Sequence, residues 1–273
     1  MFKVSPIAIF EDNYVWIIES AGKVAVVDPG DAKPILAYLK AHNLSLDYML
    51  ITHKHWDHVN GIKDLKAAFP DVLVYGTSHE TVPFLDHPLS GENKQTFELM
   101  GLDWQVIFTP GHTLGHIAFY VIERTQNNQQ QGHLFSADNL FACGCGRMFE
   151  GTAEQFQSSL AKLIALPANT LVYATHEYTL ANINFALHIE PNNTYTLHRQ
   201  DVCSQLREQG KPTLPTTIGD ELKSNPFVRW NQPDVIRAAE HFSGRDFSNQ
   251  TLAESGDYAA EVFGIIRKMK DGF

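Results

Sequence analysis

The chain has 273 residues, 44% of them hydrophobic and 19% charged, with a formal net charge of −10. That length supports a substantial buried core in one large domain or two, and the acidic balance argues against nucleic acid, whose phosphates require a basic face. No run approaches the ~18 apolar residues of a membrane span, and the start, MFKVSPIAIFEDNY, lacks the basic and long apolar stretches of a secretory signal.

From the N-terminus, YVWIIES and KVAVVDPG read as two strands, the second buried and ended by Pro29-Gly30. The stretch AKPILAYLKAHN has helical spacing through Ile35, Leu36 and Leu39. LDYMLITH is a further strand and GIKDLKAAFP a helix stopped by Pro70. VLVYG, WQVIFTPG, IAFYVIE and HLFSAD follow as strands, with the polar RTQNNQQQG forming a solvated hairpin loop. After TLVYATHEYT the texture changes: 177–189, 194–209, 233–242 and 252–269 have helical spacing and strand-like runs disappear. GKPTLPTTIGDELKSNPF reads as a loop between helices, and RKMK (267–270) as the charged end of the last one. The expected organisation is an α/β domain, 1–176, and a helical domain, 177–273. Cys143, Cys145 and Cys203 are an odd count with no disulfide framework, so a reducing cytoplasm is expected; the C-x-C pair reads as structural.

The chemistry concentrates in THKHWDH. His53 and His55 lie two apart on extended chain just after a strand and project to one side, while Asp57 and His58 fall where the next helix begins. One metal ion can take the first pair and a second ion the other, with imidazole and carboxylate ligands suited to zinc, iron or manganese. Three further strands end on ligand-type residues: His112 in TPGHTLGH, Asp138 in SADNLF and His176 in ATHEYT. Sites on sheet scaffolds are commonly mounted at such strand ends. His116, four residues beyond His112, reads as a local hydrogen-bonding residue. Asp28, in VVDPG, is either a turn former or a residue that orients a ligand histidine.

Taken together, T-H-x-H-x-D-H, TPGHTLGH, the lone strand-end Asp and HEYT resemble the metallo-β-lactamase superfamily. Within it, FEDNYVWII, GCGRMFEGTAEQF and THEYTLANINFA make the chain similar to the hydroxyacylglutathione hydrolases, or glyoxalase II. The resemblance implies an αβ/βα sandwich with a C-terminal helical domain and a dinuclear site. It assigns His53, His55 and His112 to one ion, Asp57, His58 and His176 to the other, and Asp138 as the bridge. Zinc is the expected metal, with iron or manganese as alternatives. A hydroxide bridging the ions, oriented by Asp57, would attack the thioester of S-(2-hydroxyacyl)glutathione, S-D-lactoylglutathione foremost, releasing glutathione and D-lactate in methylglyoxal detoxification. Arg147, Phe149, Tyr178 and Arg229 would form the glutathione site of a monomeric enzyme; surface charge is the alternative reading of both arginines.

Three departures stand out. Some members carry Tyr where Phe149 stands, some carry Lys soon after the C-terminal Arg where RWNQ has none, and the bridging Asp ordinarily follows Gly rather than Ala137. The main rival is a persulfide dioxygenase of the same superfamily with a single iron, which the complete second ligand set disfavours. A β-lactam hydrolase would favour a periplasmic signal, and a nuclease would need a basic groove.

Overall fold

The structure, a computed structural model, describes residues 2–247 and 256–273. Its contacts divide the chain into two compact units. The first holds Met1–Phe108, Leu114–Ala137 and Tyr173–Glu177, the second Thr109–Thr113, Asp138–Val172 and Tyr178–Phe273.

In the first unit β1 (Lys3–Ile9), β2 (Asn13–Ser20) and β3 (Lys23–Val27) pair antiparallel. Helix α1 (Ala32–Ala41) then carries the chain to β4 (Tyr48–Ile51), which lies parallel to β3. Helices α2 (Trp56–Val59) and α3 (Ile62–Ala68) lead on to β5 (Leu73–Thr77) and then β6 (His87–Leu89), both parallel. Parallel neighbours need a crossover; helical segments supply it from β3 to β4 and from β4 to β5, and the non-helical stretch 78–86 supplies it from β5 to β6. Asp31 starts α1 by accepting from the Lys33 amide, which satisfies one of the donors a helix start leaves over. Ile35 and Leu39 of α1 and Leu65 of α3 are fully buried with Ile17, Val26, Met49 and Val74 of the sheet. Each such side chain contributes about 1.5–3 kcal/mol by leaving water. The same unit contains β7 (Thr96–Leu99), β8 (Leu102–Phe108), β9 (Ile117–Arg124) and β10 (Gln130–Phe135), antiparallel in that order around buried Trp104, Phe119 and Phe135.

The second unit opens with a two-stranded ribbon, β11 (Leu140–Phe141) and β12 (Gly144–Cys145), followed by α4 (Ala153–Ile164). Strand β13 (Leu171–Tyr173), whose last residue belongs to the first unit, pairs through Leu171 and Val172 with β14 (Thr216–Thr217). Around them come α5 (Thr179–Ile189), α6 (Thr194–Glu208), α7 (Ile218–Ser224), α8 (Pro233–Ser243) and α9 (Gly256–Asp271). A capping box between Thr152 and Gln155 begins α4, and Phe156 meets Phe263 of α9 edge-on at 5.4 Å.

The structure departs from the sequence expectation in identifiable places. The stretch expected as a loop, 210–227, contains β14 and α7 and begins the 3-10 turn Pro226–Val228. The reason is Glu221, fully buried, whose carboxylate accepts from Thr216 Oγ1 at 2.7 Å, the Cys143 amide at 2.8 Å and Asn225 Nδ2 at 2.9 Å and faces Arg199 at 2.9 Å. A buried charge held from four directions makes the segment regular. Arg267, expected at the charged helix end, is buried instead, donating to the Cys145 carbonyl at 3.1 Å and lying over the Phe227 ring. Strands β1, β6, β7, β11 and β12 and helix α4 were not anticipated. Of the helix expected over 252–269, residues 252–255 lie outside the described residues.

Candidate metal centre

Strand β4 ends at Ile51 and delivers Thr52 and His53, both fully buried, beside Asp28 at the end of β3. The Asp28 carboxylate accepts from the Thr52 amide at 2.8 Å and from Thr52 Oγ1 at 2.7 Å. That hydroxyl has one proton and gives it to Asp28, so the 3.0 Å contact with His53 Nδ1 is a bond donated by the ring. Asp28 also stands 3.0 Å from His58 Nδ1. One buried carboxylate therefore sets both rings with Nδ1 protonated and Nε2 as the basic nitrogen. Asp28 has a left-handed backbone, φ 52, and its carbonyl accepts from the Gly30 amide, so it serves as turn former and orienting residue together.

His55 occupies the extended position before α2, which turns Asp57 and His58 onto the first helical residues. The ring centroids of His55 and His58 lie 4.7 and 4.1 Å from that of His53, and buried His116 stacks on His53 at 4.9 Å. Asp57 Oδ2 lies 3.6 Å from His58 Nε2 and 3.5 Å from His176 Nε2. Asp57, His58 and His176 offer ligand atoms all within 4.8 Å of one another, as do Asp28, His53 and His58. His176 is turned by Asp12, 2.9 Å from its Nδ1, and Asp57 by the Asn13 amide, which donates to Oδ2 at 3.0 Å. Gly30 permits this packing, since a Cβ there would overlap the Asp57 carbonyl.

The other two expected ligands belong to the second unit. His112 Nδ1 donates to the Arg147 carbonyl at 2.8 Å, and its Nε2 lies 3.4 Å from Asp138 Oδ2. A Cβ at Gly146 would overlap the Asp138 carbonyl, so glycine is needed for that approach. Ala137 sits at φ 43, a left-handed conformation that explains why glycine is the ordinary residue before this aspartate. Of the residues expected at glutathione, Arg147 and Phe149 are exposed, the latter with its ring 5.3 Å from His112. Tyr178, also exposed, packs edge-on against Phe141. Arg229 follows the 3-10 turn; its Nε and Nη2 donate to the two oxygens of Glu190, each at 2.8 Å, and Nη1 donates to the Leu222 carbonyl.

Buried imidazoles and carboxylates in this spacing fit a divalent cation, whose hydration shell they can replace. Comparison with known proteins decides the family. The model described as hydroxyacylglutathione hydrolase C-terminus matches residues 177–273, and that of the metallo-beta-lactamase superfamily matches residues 9–176. The hydroxyacylglutathione hydrolase of Nitrosomonas eutropha is 40% identical over 273 residues, covering 100% of both chains. That of Vibrio cholerae is 47% identical over 239 residues, covering 87% of this chain and 90% of the relative.

The chain belongs to the hydroxyacylglutathione hydrolase family. Its fold is that of the metallo-β-lactamases, with mixed sheets and a C-terminal helical region. The BLEG-1 B3 metallo-beta-lactamase matches with a TM-score of 0.59 at 23% identity, covering 84% of this chain and 99% of that one. Among the described residues no helix is long and apolar enough to cross a membrane. For a hydroxyacylglutathione hydrolase read from sequence, the supporting residues are the hard part. Asp12, Asn13 and Thr52 touch the proposed ligands here, and their one signal is polarity at the border of an apolar strand.

Proposed function

We propose that the protein hydrolyses the thioester of S-(2-hydroxyacyl)glutathiones, with S-D-lactoylglutathione the substrate and glutathione and D-lactate the products, in methylglyoxal detoxification. Membership of the hydroxyacylglutathione hydrolase family over the whole chain carries this reading. The buried His/Asp cluster supplies donors suited to the chemistry.

Two divalent cations, zinc in the first instance, would be held by His53, His55 and His112, by Asp57, His58 and His176, and by Asp138 between them. Bound there, such ions lower the pKa of water towards neutrality and polarise a thioester carbonyl. The chain's own residues do the rest. Asp28 and Thr52 fix the tautomers of His53 and His58, and Asp12 fixes the orientation of His176. Asn13 holds Asp57 as a rigid acceptor that can orient the attacking water. Glutathione, an anion, would be met by Arg147, Phe149 and Tyr178 of the second unit. Arg229 would join them through its guanidinium edge only if it shares its bond to Glu190. Residues 1–176, Arg147 and Phe149 among them, would then form the catalytic domain, and 177–273 the domain that brings Tyr178 and Arg229 to glutathione. The protein would act as a monomer in the cytoplasm, a reducing compartment that suits three free cysteines.

The test is hydrolysis of S-D-lactoylglutathione by purified, metal-analysed protein, with His55→Ala beside it. Turnover by the wild type, and its loss together with metal in His55→Ala, is the expected result. Metal-loaded protein that leaves the thioester intact would overturn the substrate assignment, and persulfide oxidation would become the next assay.

A further inference from the structure

Two large aromatic side chains in the first unit stand in water beside the metal-ligand cluster. Phe10, the first residue after β1, is 45% exposed, and Trp56, between His55 and Asp57, is 65% exposed. Their ring centroids lie 5.0 Å apart at 57°. Phe10 also has φ 51, a left-handed conformation that costs a bulky side chain energy. Neither exposure nor strain contributes to folding; strain of this kind persists where function maintains it.

The pair is fixed in place. Phe10 begins the three-residue turn joining β1 to β2, since Ile9 pairs with Asn13. The other end of that turn is tied to the proposed ligands, Asp12 to His176 and Asn13 to Asp57, and the Asp12 carbonyl accepts from the Glu177 amide at 2.8 Å. Gly30 lies against the Phe10 ring, where a Cβ would stand 3.0 Å from Phe10 Cε2. The surface is apolar, and its neighbours in the turn, Glu11 and Asp12, are acidic, which repels the glutathione half of the substrate. The acyl half is uncharged.

We infer that Phe10 and Trp56 form an apolar ledge that receives the acyl substituent of the thioester and favours large, aryl-bearing 2-hydroxyacyl groups. This rests on the hydrolase reading above. An aromatic ring laid against two others gains contact area and quadrupole attraction that a methyl group cannot.

The experiment compares kcat/KM for S-mandeloylglutathione and S-D-lactoylglutathione in the wild type, Phe10→Gly, Trp56→Ala and Trp56→Phe. Phe10→Gly suits the left-handed backbone, so its melting temperature should not fall and misfolding is not an explanation for its kinetics. The mandeloyl-to-lactoyl ratio should drop about fivefold in Phe10→Gly and in Trp56→Ala, and Trp56→Phe should retain most of it. An unchanged ratio in Phe10→Gly and Trp56→Ala, with both thioesters still hydrolysed, would overturn the ledge and leave the hydrolase reading intact. A wild type that hydrolyses neither thioester would remove both.

Discussion

The Asp28 carboxylate lies 3.0 Å from His58 Nδ1, with both side chains almost wholly excluded from solvent. The same carboxylate reaches His53 through Thr52, so it orients two proposed ligands from the two ends of one short motif. Removing its charge should leave the rings in place but free their tautomers. Asp28→Asn is therefore expected to weaken metal retention about 10- to 100-fold, read by competition with a chelating dye. Asp28→Ala should also lose stability, because φ 52 suits Asn far better than Ala. Equal metal affinity in Asp28→Asn and the wild type would refute the orienting role.

Arg229 and Glu190 form a forked pair, their side chains 17% and 5% exposed. Taking away the guanidinium leaves a buried carboxylate without its partner. Arg229→Ala is expected to lower unfolding stability by about 3 kcal/mol. Arg229→Lys should recover little, since one ammonium nitrogen cannot replace the three separate guanidinium nitrogens that reach the two Glu190 oxygens and the Leu222 carbonyl. Urea unfolding of the three proteins measures this, and unchanged stability in Arg229→Ala would show that the pair contributes nothing.

How much could be read from residues alone depended on how local the signal was. The ligand candidates were legible because each closes an apolar strand: His53 follows β4, Asp138 β10 and His176 β13. Helices α5, α6 and α8 were legible from apolar spacing. Helix α4 carried comparable signals, a Thr152–Gln155 box and Phe156, Leu160 and Leu163 at helical intervals, but its start was absorbed into a family motif. Glu221 was not legible, because what makes its burial tolerable is Arg199, Thr216 and Asn225 meeting on one carboxylate. The Asp12–His176 contact joins residues 164 apart, beyond the reach of any local pattern.

The cysteines should be chemically silent in the folded protein. Burial pushes the Cys143 thiol up to about 12 and the Cys145 thiol up to about 11, the latter despite the opposing Arg267 charge. Cys203 is buried as well. Thiolate is the reactive form, so a disulfide-exchange reagent at pH 8 should find no fast-reacting thiol until urea unfolds the chain. All three should then react. A thiol that reacts at the rate of free cysteine under native conditions would contradict this packing.

His133 gives the fold a defined weakness in acid. It is 4% exposed, with Nδ1 2.8 Å from the Tyr173 hydroxyl, Nε2 3.4 Å from Glu123 and its ring 4.6 Å from that of Phe2. Burial lowers its pKa to about 4, and it also raises that of Glu123, so the neighbouring carboxylate is a weakened counter-charge. In the unfolded chain the ring titrates near 6.5. Between pH 6.5 and 4 the unfolded state takes up a proton that the folded state refuses, so stability falls as pH falls. The accumulated loss reaches about 3 kcal/mol by pH 4 and is absent above pH 7. His133→Gln removes the titration while keeping a side chain able to meet the Tyr173 hydroxyl. Urea unfolding from pH 7.5 to 4 should therefore show a shallower acid slope in His133→Gln. Protonation of the metal ligands is common to both proteins and cancels in the difference. Parallel curves would mean that His133 accepts its proton without leaving the fold.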